Sequence, residues 1–150
     1  MIKKEIIITG SEEEMERVAG KYAEEASRKP ETGRATIIAL RGELGAGKTN
    51  FARGFIKELG GRGRVTSPTF VIIKKHKLNR GPWRQACHID AYRLKSGKEL
   101  SVLGFKEIEK NPENVILIEW PEKVRGILPR GAKRVGFRHL GRERRGVEFR

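Results

Sequence analysis

Eight consecutive residues, Gly42-Glu43-Leu44-Gly45-Ala46-Gly47-Lys48-Thr49, hold the most specific chemistry in this chain. They fit the G-x-x-x-x-G-K-[ST] spacing of a loop that wraps the phosphates of a nucleotide. Glycines at 42, 45 and 47 let backbone N–H groups close around phosphate oxygens without Cβ clashes. Lys48 is spaced to reach the β- and γ-phosphates, and the Thr49 hydroxyl to bind Mg²⁺. A glycine-rich turn with an incidental lysine is the plainer alternative, and the flanking residues argue against it. Ala35-Thr36-Ile37-Ile38-Ala39-Leu40 reads as a short buried strand. Phe51, Ala52, Phe55, Ile56 and Leu59 recur at helical spacing before Gly60-Gly61. A helix starting near Lys48 adds its unpaired N–H groups and positive dipole end to the cradle.

Hydrolysis needs further acids and a group that positions water. Glu119 follows the continuous apolar run Val115-Ile116-Leu117-Ile118, so it emerges at the carboxyl end of a buried strand, where open α/β sheets hold ligands. There it can bind Mg²⁺ directly or through water, or be no more than an exposed strand-end acid. Asp90, the only aspartate in the sequence, closes Cys87-His88-Ile89-Asp90 at a second predicted strand end. It is placed to orient the attacking water or to join the metal shell, with a turn or cap role as the alternative. A lone aspartate also excludes the Asn-Lys-x-Asp guanine-reading segment of Ras-type GTPases. Thr66-Ser67-Pro68-Thr69-Phe70 offers three hydroxyls around a rigid proline. It suits either a loop that senses the γ-phosphate or a simple turn into a strand. Trp120, next to Glu119, either packs or lines the nucleotide pocket.

The elements that must position these groups are legible in outline. Ile6-Ile7-Ile8 predicts a strand. Ser11-Glu12-Glu13-Glu14 is a capping box that opens a helix running to about Arg28, with Met15, Val18, Ala19, Tyr22 and Ala26 inward. Phe70 to Ile73 and Trp83 to Ile89 predict two strands joined through Asn79-Arg80-Gly81-Pro82. A broken helical stretch spans Gly97 to Lys110, and Arg134 to Leu140 with Val147 to Arg150 suggest a closing hairpin. There are no repeats or low-complexity tracts. The expectation is one α/β domain over residues 1–150.

Composition bounds the rest. No apolar stretch approaches the ~18 residues of a membrane span. The first ten residues lack the apolar length and cleavage site of a signal peptide, so the cytoplasm is the expected compartment. Cys87 is the only cysteine, beside His76, His88 and His139, which argues against an internal disulfide and a structural zinc site. Net charge is +14, with +8 in residues 53–84 and +7 in residues 121–150. Such segments favour RNA or another polyanion as a neighbour, and equally suit a heat-adapted, highly charged surface.

In order along residues 35–130, these segments resemble the TsaE (YjeE) family, the bacterial ATPase of tRNA threonylcarbamoyladenosine biosynthesis. The likeness rests on Leu40 to Thr49, Val65 to Phe70, and His88-Ile89-Asp90-Ala91-Tyr92-Arg93-Leu94. It continues through Glu99-Leu100 with Leu103-Gly104-Phe105, and Ile118-Glu119-Trp120-Pro121-Glu122. Glu43 stands where the family usually has Asp, and Asn50 where it usually has Thr. Gly141-Arg142-Glu143-Arg144 is similar to the family's terminal turn.

The resemblance implies a P-loop NTPase-like, three-layer α/β fold: a mixed, mostly parallel sheet with helices on both faces. It implies an ATP- and Mg²⁺-binding hydrolase, slow alone and faster when docked on a TsaD–TsaB assembly. That assembly transfers threonylcarbamoyl to the adenosine beside the anticodon, and the ATPase resets it. On these positions, Lys48 binds phosphate, Thr49 and Glu119 hold Mg²⁺, and Asp90 assists hydrolysis. Ser67 to Thr69 form the switch, Trp120 belongs to the active pocket, and Thr9 lies near the adenine. The basic segments offer a surface for tRNA. Two rivals differ in class: a small phosphotransferase, which needs an acceptor pocket and an arginine-bearing lid, and a basic RNA-binding module without catalysis. Phosphate release without an acceptor separates the first from an ATPase. RNA affinity that survives loss of the phosphate loop would identify the second.

Overall fold

The two most aliphatic runs of the sequence lie side by side at the centre of a sheet in the computed structural model, which describes residues 5–62 and 72–150. In chain order the elements are β1 (Ile6–Thr9), α1 (Glu12–Ser27), β2 (Thr36–Gly42), α2 (Lys48–Glu58), β3 (Ile73–Lys77) and β4 (Gln85–Asp90). They continue with α3 (Gly97–Val102), α4 (Phe105–Lys110), β5 (Asn114–Glu119), a 3-10 segment (Pro121–Ile127), β6 (Lys133–Gly141) and β7 (Arg144–Phe149). The described strands form one seven-stranded sheet in the order β1-β7-β6-β2-β5-β4-β3. Its four central strands, β6-β2-β5-β4, run parallel, and the outer strands pair antiparallel.

Strand alternation divides the core into two layers. Ile38 and Leu40 of β2, Val115 and Leu117 of β5, and Ala86 of β4 pack with Met15, Ala19, Phe51, Phe55 and Ile56 under α1 and α2. Ile37, Ala39, Ile116, Ile118, Cys87 and Ile89 face the other way, onto Leu100, Phe105, Ile108 and Val124. Helices therefore cover both faces of the parallel centre, which is why β2 and β5 read as continuous apolar runs. Every residue of β5 is buried.

Ser11 caps α1 as its sequence predicts, accepting a hydrogen bond from Glu14 N at 3.1 Å. The return bond of the capping box is displaced by one residue: Glu14 Oε2 accepts from Gly10 N at 2.6 Å. Met15, Ala19 and Ala26 are buried as expected, joined by Ala23, while Val18 and Tyr22 pack at the margin.

The third strand departs from its prediction. Phe70 and Val71 lie outside the described residues, and β3 begins at Ile73 and runs through Lys74, Lys75, His76 and Lys77. Among the described residues it is a sheet edge paired on one side only, and lysines there oppose further strand addition. That polarity conceals an edge strand from a reading based on hydrophobic runs. Trp83 falls just before β4 and is fully buried, its ring centroid 6.2 Å from that of Phe55. The predicted hairpin is present as β6 and β7, with β6 also pairing parallel to β2. Among the described residues, no helix is long and apolar enough to cross a membrane.

Candidate functional site

Three parallel strands end together. Register aligns Leu40 of β2 with Glu119 of β5, and Glu119 with Asp90 of β4, so the two acids are neighbours at the carboxyl edge of the sheet. Residues in register share a face, so Glu119 and Asp90 both point to the layer that holds α2. The phosphate loop leaves β2 at Gly42 and enters α2 at Lys48 on that same side. A cleft of about 610 Å³ opens there, lined by Gly45 to Asn50, Asp90, Glu119 and Trp120.

The glycines of the loop serve different ends. Gly47 caps α2 at φ 106°, a left-handed conformation that side chains disfavour, and a Cβ there would lie 2.7 Å from Met15 Cε. Gly42, expected to make room for phosphate, is required by strand pairing as well. A Cβ on it would approach Phe137 O to 2.7 Å, across the β2–β6 ladder.

Lys48 is 4% exposed, and its ammonium turns back onto the loop. It donates to the carbonyl oxygens of Gly42 and Glu43, the latter at 3.1 Å, and lies 3.9 Å over the ring centroid of Trp120. Burial holds its pKa below the usual lysine value, against the opposing charges of Glu119, Glu122, Asp90 and Glu43. The Thr49 hydroxyl donates to the Glu119 carboxylate, 3.2 Å from Oε1 and 3.1 Å from Oε2. Asp90 Oδ1 accepts from Tyr92 N at 3.0 Å. Burial raises the Asp90 pKa, the Tyr92 N–H bond opposes that, and the neighbouring Glu119 charge adds to it.

Thr49, Glu119 and Asp90 are oxygen donors, the ligand type Mg²⁺ selects. Among the described residues, no group of three or more His, Cys, Asp or Glu side chains forms a metal cage. That donor set fits an ion held by one or two protein oxygens, with phosphate and water completing its shell.

The structure brings Lys48, Thr49, Asp90, Glu119 and Trp120 together around the loop. Ser67 and Thr69 lie outside the described residues. Thr9 is buried at the end of β1 and lines a separate cleft with Ile8, Glu13 and Arg17, while Ser11, Glu12 and Met15 line the phosphate cleft. The Glu43 carboxylate faces β6, accepting from His139 N at 3.2 Å.

Sequence reading passed over three residues at this site. His88 is fully buried with Nε2 2.6 Å from Glu119 Oε2, and its signal was its place two residues before Asp90, on the same strand face. Tyr92 packs against Trp120 at a centroid distance of 4.9 Å, the two rings tilted by 53°. Arg145 reaches from β7 to donate through Nε to Gly45 O at 2.9 Å, a contact without a local sequence signal.

A strand, glycine loop and helix at the edge of a parallel sheet, facing an acid on the adjacent strand, define a P-loop NTPase-like α/β protein. Comparison with known proteins narrows the class. The chain belongs to the TsaE family: the family profile described as "Threonylcarbamoyl adenosine biosynthesis protein TsaE" matches residues 9–147. It is 37% identical over 139 residues to the tRNA threonylcarbamoyladenosine biosynthesis protein TsaE of Rickettsia bellii, covering 92% of this chain and 89% of that one. The Haemophilus influenzae protein of the same name is 37% identical over 110 residues, 73% of this chain and 67% of its own length. The crystal structure of Bacillus subtilis YdiB superposes with a TM-score of 0.75 at 28% identity, covering 99% of this chain and 86% of that one.

Proposed function

We propose that this chain is a single-domain, Mg²⁺-dependent ATPase of the cytoplasm, serving tRNA threonylcarbamoyladenosine biosynthesis beside TsaD- and TsaB-like proteins. The observation that carries the reading is the contact of Thr49 Oγ1 with both Glu119 oxygens beside the buried Lys48 ammonium. Family membership supports the pathway, and the names of the relatives support its tRNA product.

The loop amides and the α2 N-terminus bind phosphate oxygens by hydrogen bonds and dipole. Lys48 exchanges its internal carbonyl partners for phosphate oxygens, a stronger charge-assisted contact. Thr49 and Glu119 would hold Mg²⁺, which would supply positive charge to offset that of the phosphates. Asp90, on the same sheet face, accepts a hydrogen bond from the attacking water and orients it. Trp120 covers the lysine and keeps water from that side of the phosphates. The basic surface supplies a tRNA contact.

Titration of the purified protein with ATP and GTP, with and without Mg²⁺, tests the reading. ATP binding strengthened by Mg²⁺ is expected, with slow phosphate release that rises when TsaD- and TsaB-like partners are added. Absence of nucleotide binding would overturn it.

A further inference from the structure

The buried histidine beneath Glu119 has no place in the phosphate-binding chemistry above. His88 and Glu119 sit on adjacent parallel strands, with His88 in register with Leu117, one alternation below Glu119. Their side chains are 0% and 4% exposed, and Nε2 lies 2.6 Å from Oε2. With the proton on Nε2 the imidazole donates to Glu119 Oε2, an acceptor oxygen. Nδ1 is buried and has no hydrogen-bond partner among the described residues. The ring is therefore held by packing and by this one polar contact.

We propose that His88 is a positioning residue for the divalent cation site: Nε2–H fixes Glu119 Oε2, leaving Oε1 and the Thr49 hydroxyl as the oxygens presented to the ion. The proposal rests on the reading of Glu119 as a metal ligand. Its physical basis is restriction. A carboxylate at a strand end can rotate, and the 2.6 Å bond selects one orientation before the ion arrives. Outer partners of this kind orient ligands and sustain their affinity for a metal. His88 is not among the residues that line the cleft, whereas Lys48, Thr49 and Glu119 are.

The experiment uses the full chain with ADP and Mn²⁺, reading free Mn²⁺ by electron paramagnetic resonance and nucleotide affinity separately in EDTA. His88→Leu is expected to weaken Mn²⁺ binding by about 10–100-fold. Its metal-free ADP affinity should stay within about threefold of the parent's, a difference below ~0.7 kcal/mol. His88→Gln, whose amide N–H₂ can take the place of Nε2, should restore most of the Mn²⁺ affinity. In a Glu119→Ala background the effect of His88→Leu should vanish, because the carboxylate that His88 fixes is gone.

Parent-like Mn²⁺ affinity in a folded His88→Leu protein would overturn the proposal, as would an equal loss in the Glu119→Ala background. If the parent itself binds no Mn²⁺ with ADP, the ATPase reading fails and this inference with it. Should both His88 variants unfold, ¹⁵N resonances of the parent decide: a protonated, hydrogen-bonded Nε2 in the ADP–Mg²⁺ form supports the role, and its absence rejects it.

Discussion

The ammonium of Lys48 lies 3.9 Å above the ring centroid of Trp120, while the backbone of Trp120 is held at φ 60° and ψ 51°. A left-handed conformation is uncommon for so bulky a residue. Pro121 follows at the start of the 3-10 segment, so the chain turns sharply as soon as β5 ends. The turn sets the indole against the phosphate loop. The lysine proposed to meet phosphate is thus stored in a desolvated place, bonded to Gly42 and Glu43 carbonyls and covered by an aromatic face.

From that arrangement Lys48→Ala is expected to weaken ATP binding by about 100-fold or more, the loss of one to two charge-assisted hydrogen bonds. Isothermal calorimetry measures it. ATP should also change Trp120 fluorescence in the parent, as the ammonium leaves the ring. Trp83 is buried beneath α2 and should contribute a constant background. Affinity in Lys48→Ala close to the parent's would remove the lysine from phosphate binding.

Asp90→Ala should separate binding from chemistry. Its carboxyl shares the Glu119 sheet face and does not bond to the loop. Nucleotide affinity should change by less than about threefold, while phosphate release falls roughly 100-fold or more, the usual yield of a positioned base. Release assays in the partner assembly would show this, and full turnover there would exclude Asp90 from the mechanism.

Packing between α1 and α2 gives a stability prediction. A Cβ on Gly54 would lie 2.5 Å from Glu16 O and 3.0 Å from Ala19 Cβ, so Gly54→Ala must push the two helices apart. Overpacking of that kind costs about 1–3 kcal/mol, a Tm decrease of roughly 2–12 °C at this chain length. Gly126→Ala, where a Cβ meets open space, is the matched control and should leave Tm nearly unchanged. Equal melting of the two variants in calorimetry would contradict the close approach.

His76 predicts a pH dependence. The ring is buried on β3 with Nε2 unpartnered among the described residues, and its pKa lies below the ordinary 6.5. Burial is the main cause, with His88 and Lys74 adding to it. The unfolded chain then binds a proton that the folded chain resists, so stability is complete above the ordinary value and declines as pH falls below it. The slope from this group is at most about 1.4 kcal/mol per pH unit. Urea midpoints between about pH 7.5 and pH 5.5 should fall in the parent and fall less in His76→Leu. Parallel profiles would reject the assignment.

The central strands, α1 with its cap, the phosphate loop and α2 could be read directly, since each is specified by neighbours within a few residues. Apolar runs mark strands buried on both faces, and Ser11 with Glu14 marks a helix start. Edge strand β3 was misplaced because its composition answers to solvent and to the avoidance of a further strand. Gly42 shows the same limit within the site. Its sequence context points to phosphate, and its size is demanded also by Phe137, which meets it only when β6 docks beside β2.

The sequence alone determined which groups could act: a lysine and a hydroxyl at fixed spacing in a glycine loop, and acids closing two apolar runs. Those assignments depend on local pattern and on side-chain chemistry, both carried by the linear chain. Tertiary structure alone decided that Glu119 is gripped by His88 and Thr49, that Trp120 roofs Lys48, and that Arg145 braces Gly45 from 100 residues away. Such contacts follow from strand order and register, which set distances between residues that share no local sequence relation.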